Sequence, residues 1–385
     1  MYSSTWGISL RGKLYSAIAA SLSLTESSLY FIAVPPTLAR LSDLSRERPE
    51  GGLLLKGSAT RRYQSIAVRC ILRRPLPNRV PRKRVLPASP ECVRGWRGLR
   101  SKEDEVLVNA LVGFAGLAPT IKASALGYKI ALANKESLVA AGKFLSTSNI
   151  VPIDSEHFGL WYLLGQKEPK RLLITASGGA LRDIPLSKIA DVTLKDTLNH
   201  PNWKMGKKIT IDSATMINKL FEILEAHWLF GCKEIDAFME TKSVIHALIE
   251  FLDGSTTAHL ANADMRLPIA FALLNEIKEP IIQNINLLQV KNLEFREIDV
   301  LRYPAWQLRE FLLKNPHLGV VLNAANDEAV RLFLEEKIAF SNISKCVINA
   351  VEKFEHIKVD SIDEVFLANS EVKLFCSKVL KADRL

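Results

Sequence analysis

From Val106 onward, apolar and polar positions follow regular periods. An apolar run from Val106 to Val112 predicts a strand. Pro119 then stands where a first helical turn would begin, Gly127 marks a helix stop, and Ile130 to Ala133 predicts a second strand. Strand, helix, strand is the βαβ unit from which parallel sheets are built. Ile150 to Ile153 predicts a third short strand, Phe158 to Leu164 a helix, and Arg171 to Thr175 a further strand running into Ser177-Gly178-Gly179. Between 277 and 303 the periodicity weakens, as in a linker. After it, WQLREFLL, NDEAVRLFLEEKI and ISKCVINAVEKF carry apolar residues at helical spacing and predict a small all-α terminal domain.

Residues 1–100 follow neither period. Basic and proline-rich pieces such as RRPLPNRVPRKRVLP break up any element longer than a turn, so low order is expected there. Charge confirms the break. The formal charge is +10, yet residues 1–100 hold 18 Lys and Arg against 5 Asp and Glu, and the rest holds 33 against 36. The kind of base also inverts, from 15 Arg and 3 Lys to 8 Arg and 25 Lys. Two compositions are joined in one chain.

With 385 residues, 48% of them hydrophobic and 24% charged, the chain has the composition of a soluble globular protein of two or three domains. No apolar run approaches the roughly 18 residues of a membrane span. Leu14 to Leu24 is too rich in Ser, and too poor in a cleavage site, for a signal peptide. Cys70, Cys92, Cys232, Cys346 and Cys376 are odd in number and scattered, which argues against a disulfide framework or zinc ribbon and for a reducing, cytoplasmic setting.

Five stretches carry candidate chemistry. In VPIDSEHFGLW, Asp154 and Glu156 at a strand end would point to one side and share a hard, oxygen-liganded cation such as Mg²⁺ or Mn²⁺, while Ser155 meets another partner. An Asp capping the following helix explains the same residues. In ITIDSATMINKLFEILEAHW, Ile217, Leu220, Phe221, Leu224 and Trp228 form an apolar stripe, and Asn218, Lys219 and Glu222 share another face. Ser213, read as lying just ahead of that helix, favours an anion; an ordinary amphipathic helix with a solvated polar face is the alternative. TASGG, 175–179, offers free N–H groups and the Ser177 hydroxyl to a phosphate, or is a plain turn. HPNWKMGKK, 200–208, reads as a lid carrying Trp203, or as a surface loop. In LANKES, Asn134, Lys135 and Glu136 project from a strand's carboxyl end, where open α/β sheets bind ligands, although Asn134 also fits a helix cap.

LANKESLVAAG, PIDSEH, TASGG, HPNWKMGKKITIDSATMINK, DGSTTAHLANADMRLPIA and LNAANDEAV, in that order, closely resemble the 1-deoxy-D-xylulose 5-phosphate reductoisomerase family over residues 106–385. The resemblance implies an α/β protein: a Rossmann-like NADPH domain whose first half is atypical (1–100) and whose second half is 101–149, a central α/β catalytic domain for metal binding and dimerisation (150–276), a linker (277–303) and a C-terminal helical domain (304–385). It implies a cytoplasmic homodimer of non-mevalonate isoprenoid biosynthesis that rearranges and reduces its sugar phosphate with NADPH and Mg²⁺, Mn²⁺ or Co²⁺, with neither membrane nor nucleic acid as partner. Carried over by motif, Asp154, Glu156 and Glu222 match metal ligands. Lys135, Ser155, Glu156, Ser177, His200, Ser213, Asn218, Lys219 and Glu222 match substrate contacts, and Asn134, Glu136 and Gly206 match cofactor contacts. Lys135, Glu156, His200 and Trp203, the last matching the lid tryptophan, form the catalytic set.

The chain departs from the family in three places. The family opens with a strand and a glycine-rich turn, GSTGSIG; here Gly51, Gly52 and Gly57 do not satisfy G-x-G-x-x-G, and Lys56-Gly57-Ser58 reverses a P-loop's order. Residues 1–100 have the composition of a transit peptide but occupy the length of the family's first half-domain. The inverted Arg-to-Lys ratio motivates the hypothesis that the gene's start is read out of frame and the frame recovered near 101–106. Leu220-Phe221 replaces the usual Gly-Leu, and ETKS at 240–243 replaces HPQS. The rival function is a sugar-phosphate-binding scaffold without catalysis, with a basic head gripping nucleic acid or an acidic surface.

Overall fold

The computed structural model describes residues 31–34, 106–165, 168–274 and 277–382. The expected low order of residues 1–100, the frame hypothesis and the Gly51 to Ser58 readings concern residues outside these, except for Phe31–Val34, which forms a strand (β1).

β1 pairs antiparallel with β2 (Val106–Asn109), and β2, β3 (Lys129–Leu132) and β4 (Ile150–Pro152) run parallel, giving a four-stranded sheet in the order β1-β2-β3-β4. Alternation along the strands covers both faces of this sheet. Leu107, Ile130, Leu132 and Ile150 join the main core with helices α1 (Leu117–Ala125) and α2 (Lys135–Ala141). Val108, Ala131 and Val151 face Ile269, Ala270 and Ala272 on the other side. The predicted βαβ unit is present, with shorter strands. Pro119 is the third helical residue rather than the first, because Gly116 and Leu117 already turn into the helix.

Helix α3 (Ser155–Leu163) follows β4, and a second sheet follows in the order β8-β7-β5-β6-β9. Its strands are β5 (Pro169–Ala176), β6 (Ile235–Glu240), β7 (Ile245–Phe251), β8 (Thr256–Leu260) and β9 (Phe295–Arg296). The 277–303 stretch therefore does more than connect: it adds β9 to the sheet edge, antiparallel to β6. The sequence reading passed over β6, β7 and β8. Between β5 and β6 lie α4 (Lys207–Ala214) and α5 (Ile217–Phe230), and α6 (Arg266–Leu273) covers the first sheet.

Where one helix following Ser213 was expected, the 209–228 stretch holds two helices, broken where Met216 takes a left-handed backbone (φ 64°). Ser213 consequently lies in the last turn of α4, not ahead of a helix N-terminus. The apolar stripe of α5 is real: Ile217, Leu220, Phe221 and Leu224 are buried, each contributing roughly 1.5–3 kcal/mol.

The C-terminal region is helical as expected, with α7 (Gly319–Leu334), α8 (Ser341–Lys353) and α9 (Ile362–Ala382). Helix α7 is the buried centre of this cluster and also touches α2. A Cβ on Gly319 would lie 2.0 Å from the Val139 carbonyl oxygen, a backbone atom that cannot step aside. Gly319→Ala should therefore cost about 3 kcal/mol of stability, read as a lower urea midpoint at unchanged slope.

Candidate active site

A cleft of about 510 Å³ opens where the carboxyl ends of β2, β3 and β5 meet α3, α4 and α5. Carboxylate oxygens of Asp154, Glu156 and Glu222 lie within 4.8 Å of one another in its wall. Strand alternation is not what brings the first two together. Asp154 is the N-cap of α3, its Oδ1 accepting the Glu156 N–H at 3.2 Å, and Glu156 sits in the first helical turn. The capping and chelating readings of Asp154 thus describe one geometry, since Oδ2 remains turned to the cleft. Glu222 comes from the polar face of α5. That face is not solvated: Lys219 is 3% and Glu222 1% exposed.

Two ammonium groups balance these carboxylates. Lys135 Nζ lies 2.6 Å from Asp154 Oδ2, 2.7 Å from Glu222 Oε1 and 3.0 Å from Asn218 Oδ1. Lys219 Nζ lies 3.1 Å from Glu156 Oε1 and against Glu222 Oε2, and donates to the Thr175 carbonyl. Asn218 Nδ2 donates to Glu222 Oε1, and Ser155 Oγ to Glu156 Oε2 at 2.6 Å. Burial works against the Lys135 charge, but Asp154, Glu222 and Glu225 outweigh it and hold its pKa well above the usual value. Burial would raise Asp154; Lys135 and His157 reverse this and keep it well below the carboxylate range. Glu156 goes the other way, pushed to about 8 by burial and then by the Glu222 charge.

Behind the acids sits His157. Its Nε2 lies 2.8 Å from the Glu222 carbonyl, and its Nδ1 lies 3.3 Å from Asp154 Oδ1 and 3.4 Å from Glu225 Oε2. Both ring nitrogens face acceptors. Burial opposes the charge, yet Glu225 and Asp154 carry the imidazole pKa up to about 9. Neither His157 nor Glu225 was singled out from the sequence, although one adjoins Glu156 and the other stands one turn after Glu222 on the same helix.

A second group lies across the cleft. Gly178 and Gly179 adopt φ +83° and +65°, and a Cβ on Gly179 would meet the Ser213 carbonyl at 2.7 Å, so the TASGG turn can close on α4 only with glycine there. Ser177 and Ser213 then share one imidazole, at 2.9 and 3.4 Å from His200 Nε2. The backbone N–H groups of Asn202 and Trp203 donate to His200 Nδ1 at 3.2 and 2.9 Å, which leaves the ring proton on Nε2. Burial, then Arg182, lower the His200 pKa to about 4, so the ring is neutral. The Trp203 indole packs edge-on to His246, centroids 6.1 Å apart, at the cleft mouth.

Of the three expected cofactor contacts, Glu136 lines the cleft, and Asn134 and Gly206 do not. Asn134 caps α2 and donates to the Leu111 and Gly113 carbonyls and to Glu136 Oε2. Glu136 Oε1 accepts the Gly113 N–H at 3.0 Å. Gly206 is the N-cap of α4.

The parallel sheet with its carboxyl-end cleft, the all-oxygen acid cluster and the hydroxyl–imidazole group define a metal-dependent α/β enzyme acting on an anionic small molecule. Sequence models of 1-deoxy-D-xylulose 5-phosphate reductoisomerase match residues 92–142, and models of its C-terminal domains match 150–230 and 260–375. The chain belongs to the 1-deoxy-D-xylulose 5-phosphate reductoisomerase family. It is 59% identical over 285 residues to the enzyme of that name from Nautilia profundicola, a match covering 72% of this chain and 78% of the relative. It is 50% identical over 298 residues to that of Wolinella succinogenes, covering 76% and 83%. A crystal structure of the reductoisomerase in complex with NADPH, fosmidomycin and magnesium superposes with a TM-score of 0.68 at 33% identity, covering 72% of this chain and 76% of that one. The Zymomonas mobilis enzyme with NADPH gives 0.64 at 33%, covering 71% and 74%.

Lys208, which the sequence reading left in a loop, ties the site to its surroundings. Its ammonium is 2.8 Å from Asp212, 3.3 Å from Glu136 and 3.5 Å from Asp327, so α4, α2 and α7 meet on one buried cation. Lys208→Met would leave three largely buried carboxylates facing one another and should cost roughly 3–5 kcal/mol, measured by urea unfolding.

Proposed function

We propose that this chain binds 1-deoxy-D-xylulose 5-phosphate and a divalent cation in the described cleft and converts the substrate, with NADPH, to 2-C-methyl-D-erythritol 4-phosphate for isoprenoid biosynthesis. It is an NADP-dependent oxidoreductase acting on a CH–OH group. The observation that supports it most is the convergence of Asp154, Glu156 and Glu222 beside Ser177, His200 and Ser213 in one cleft. The family match favours the enzyme over a nucleic-acid-binding scaffold.

Three carboxylates fit Mg²⁺ or Mn²⁺, which take oxygen ligands at about 2.1 Å. Glu222 Oε2 is ion-paired with Lys219, so an incoming ion would take the place of that ammonium. When bound, the cation polarises the substrate's carbonyl and hydroxyl oxygens as a Lewis acid. The protein's own groups do the rest. Ser177 Oγ accepts from the Gly179 N–H at 3.2 Å and from His200 Nε2–H, so its hydroxyl proton points outward to a phosphate oxygen. Ser213, Asn218 and Lys219 would complete that grip, converting phosphate binding into orientation of the reacting carbons. Lys135 stays protonated and can donate to oxygens that gain negative charge. Trp203 closes the mouth against water. Asn134, Glu136 and Gly206 would hold NADPH, which when bound would supply the hydride.

The domain division follows the same reading: 1–100, 101–149, 150–276, 277–303 and 304–385. We further read the protein as a cytoplasmic homodimer. Among the described residues no helix is long and apolar enough to cross a membrane, and Cys232 and Cys376 are free thiols.

Substrate-dependent NADPH oxidation in the presence of Mn²⁺ tests the activity, and Glu222→Gln should reduce it at least about a hundredfold by removing a ligand; turnover unchanged by that substitution would refute the site. Cation binding should also depend on pH. With Glu156 protonated below about 8, an incoming ion must displace that proton, so Mn²⁺ affinity weakens as pH falls below 8, by up to about tenfold per unit, and levels above it. Manganese titration by electron paramagnetic resonance reads this directly, and in Glu156→Gln the slope should vanish.

A further inference from the structure

The turn joining β6 to β7 carries Glu240-Thr241-Lys242-Ser243, where the family's usual reading is His-Pro-Gln-Ser, and the mechanism above makes no use of it. Glu240, at the end of β6, is 0% exposed. Backbone satisfies its carboxylate: Oε1 accepts the Lys242 N–H at 2.9 Å, and Oε2 accepts those of Val244 at 2.6 Å and Ile245 at 3.2 Å. Hydrogen bonds to an ionised acceptor are about twice as strong as neutral ones. Within the turn Ser243 has a left-handed backbone, φ 53°, a conformation that costs a side-chain-bearing residue about 1 kcal/mol or more. The carboxylate therefore holds the turn in a shape the chain would not adopt unaided.

What the turn presents outward is a socket for the lid. Asn202 Nδ2 donates to the Thr241 carbonyl at 3.0 Å and to Ser243 Oγ at 2.7 Å. Arg182 Nη1 bridges the same Thr241 carbonyl and the Ser177 carbonyl, both at 2.8 Å, so the socket is also tied to the hydroxyl group of the site. Asn202 stands between His200 and Trp203, and its backbone N–H helps fix the His200 ring. Where Asn202 is held determines which imidazole nitrogen meets Ser177 and how Trp203 sits over the cleft.

We propose that Glu240 and Asn202 are positioning residues in series: Glu240 fixes the 240–245 turn, and the turn holds the lid loop through Asn202, setting His200 and Trp203 over the cleft. The placement rests on geometry alone; its effect on substrate rests on the function proposed above.

Two substitutions separate the links. Asn202→Ala removes both side-chain bonds and leaves the turn intact. Glu240→Gln puts an NH₂ against backbone N–H groups and loosens the turn. Acrylamide quenching of Trp203, taken as the difference between each protein and its Trp203→Phe counterpart, reports the lid without substrate. Calorimetric titration with 1-deoxy-D-xylulose 5-phosphate and Mn²⁺ reports its effect on binding. Each single variant should raise Trp203 quenching about twofold and weaken substrate binding about tenfold, and the double variant should be no weaker than the worse single one, because both act on one link. Unchanged quenching, or losses that multiply in the double variant, would overturn the proposal. If Glu240→Gln does not fold, Ser243→Ala replaces it in the cycle with the same expectation. If the unaltered chain binds no substrate, the proposed function fails while the quenching result still decides the lid.

Discussion

Three charged carboxylates within 4.8 Å would repel one another by roughly 3–4 kcal/mol per pair even at an effective dielectric constant of about 20, a repulsion that, with burial, keeps the proton on Glu156 up to about 8. Summed over the pairs, that is comparable to the whole stability of a typical domain. The cluster can exist only because Lys135 and Lys219 are driven between the acids from opposite sides, Lys135 from the start of α2 and Lys219 from within α5. Each lysine is buried by the elements that carry the acids, so the charge balance also fixes how α2, α3 and α5 must pack. His157 adds a third positive group beneath Asp154 and turns that carboxylate's other oxygen toward the cleft. Ammonium groups neutralise the acids in the free protein; under the proposed function a divalent ion would take over that role and release lysine hydrogens to a substrate.

The same logic recurs at the junction of the layers. Asp212, from α4, accepts from Asn326 at 2.7 Å and pairs with Lys208, which reaches Glu136 and Asp327. Lys373 from α9 lies 3.2 Å from Asp327 on the far side. Tyr303 OH, from the stretch before the helical cluster, donates to the Gly178 carbonyl at 2.7 Å and steadies the TASGG turn from below. The C-terminal helices are thus not an appendage to the site. They supply the partners that hold the lid's exit at Lys208 and the serine turn at Gly178.

Much of this was legible in the sequence where local period and motif coincide. The βαβ unit, the apolar stripe of α5 and the C-terminal helices follow from spacing alone. Asp154, Glu156 and Glu222 were identifiable as a set only through the order of long motifs, since each has an ordinary structural explanation, and for Asp154 that explanation is also true. What spacing could not give was anything made by distant segments. Lys208 is one of two adjacent lysines and gains its meaning from α2 and α7. Glu225 becomes notable only when His157 is beside it. The apolar stripe becomes readable only from Ile217, and the short helix before Met216 has no such stripe of its own, which is why Ser213 was placed ahead of a helix rather than inside one. The hairpin of β7 and β8 was missed because its strands mix buried and exposed positions without a clean alternation.

The two internal departures from the family's usual sequence bear on whether this cleft is built to work. Where Gly-Leu is usual, Leu220 and Phe221 are fully buried, and the Phe221 ring lies 5.2 Å from the Lys208 ammonium, adding a cation–π contact to the cation that joins three helices. Where HPQS is usual, the buried Glu240 carboxylate accepts the backbone N–H groups of Lys242, Val244 and Ile245. Both departures are accommodated locally: Leu220 and Phe221 are buried in the apolar core, and both oxygens of the Glu240 carboxylate accept backbone N–H groups. The acids, serines and lysines that face the cleft all lie beyond residue 130, so the geometry of the cleft is carried by the part of the chain that the family's motifs span.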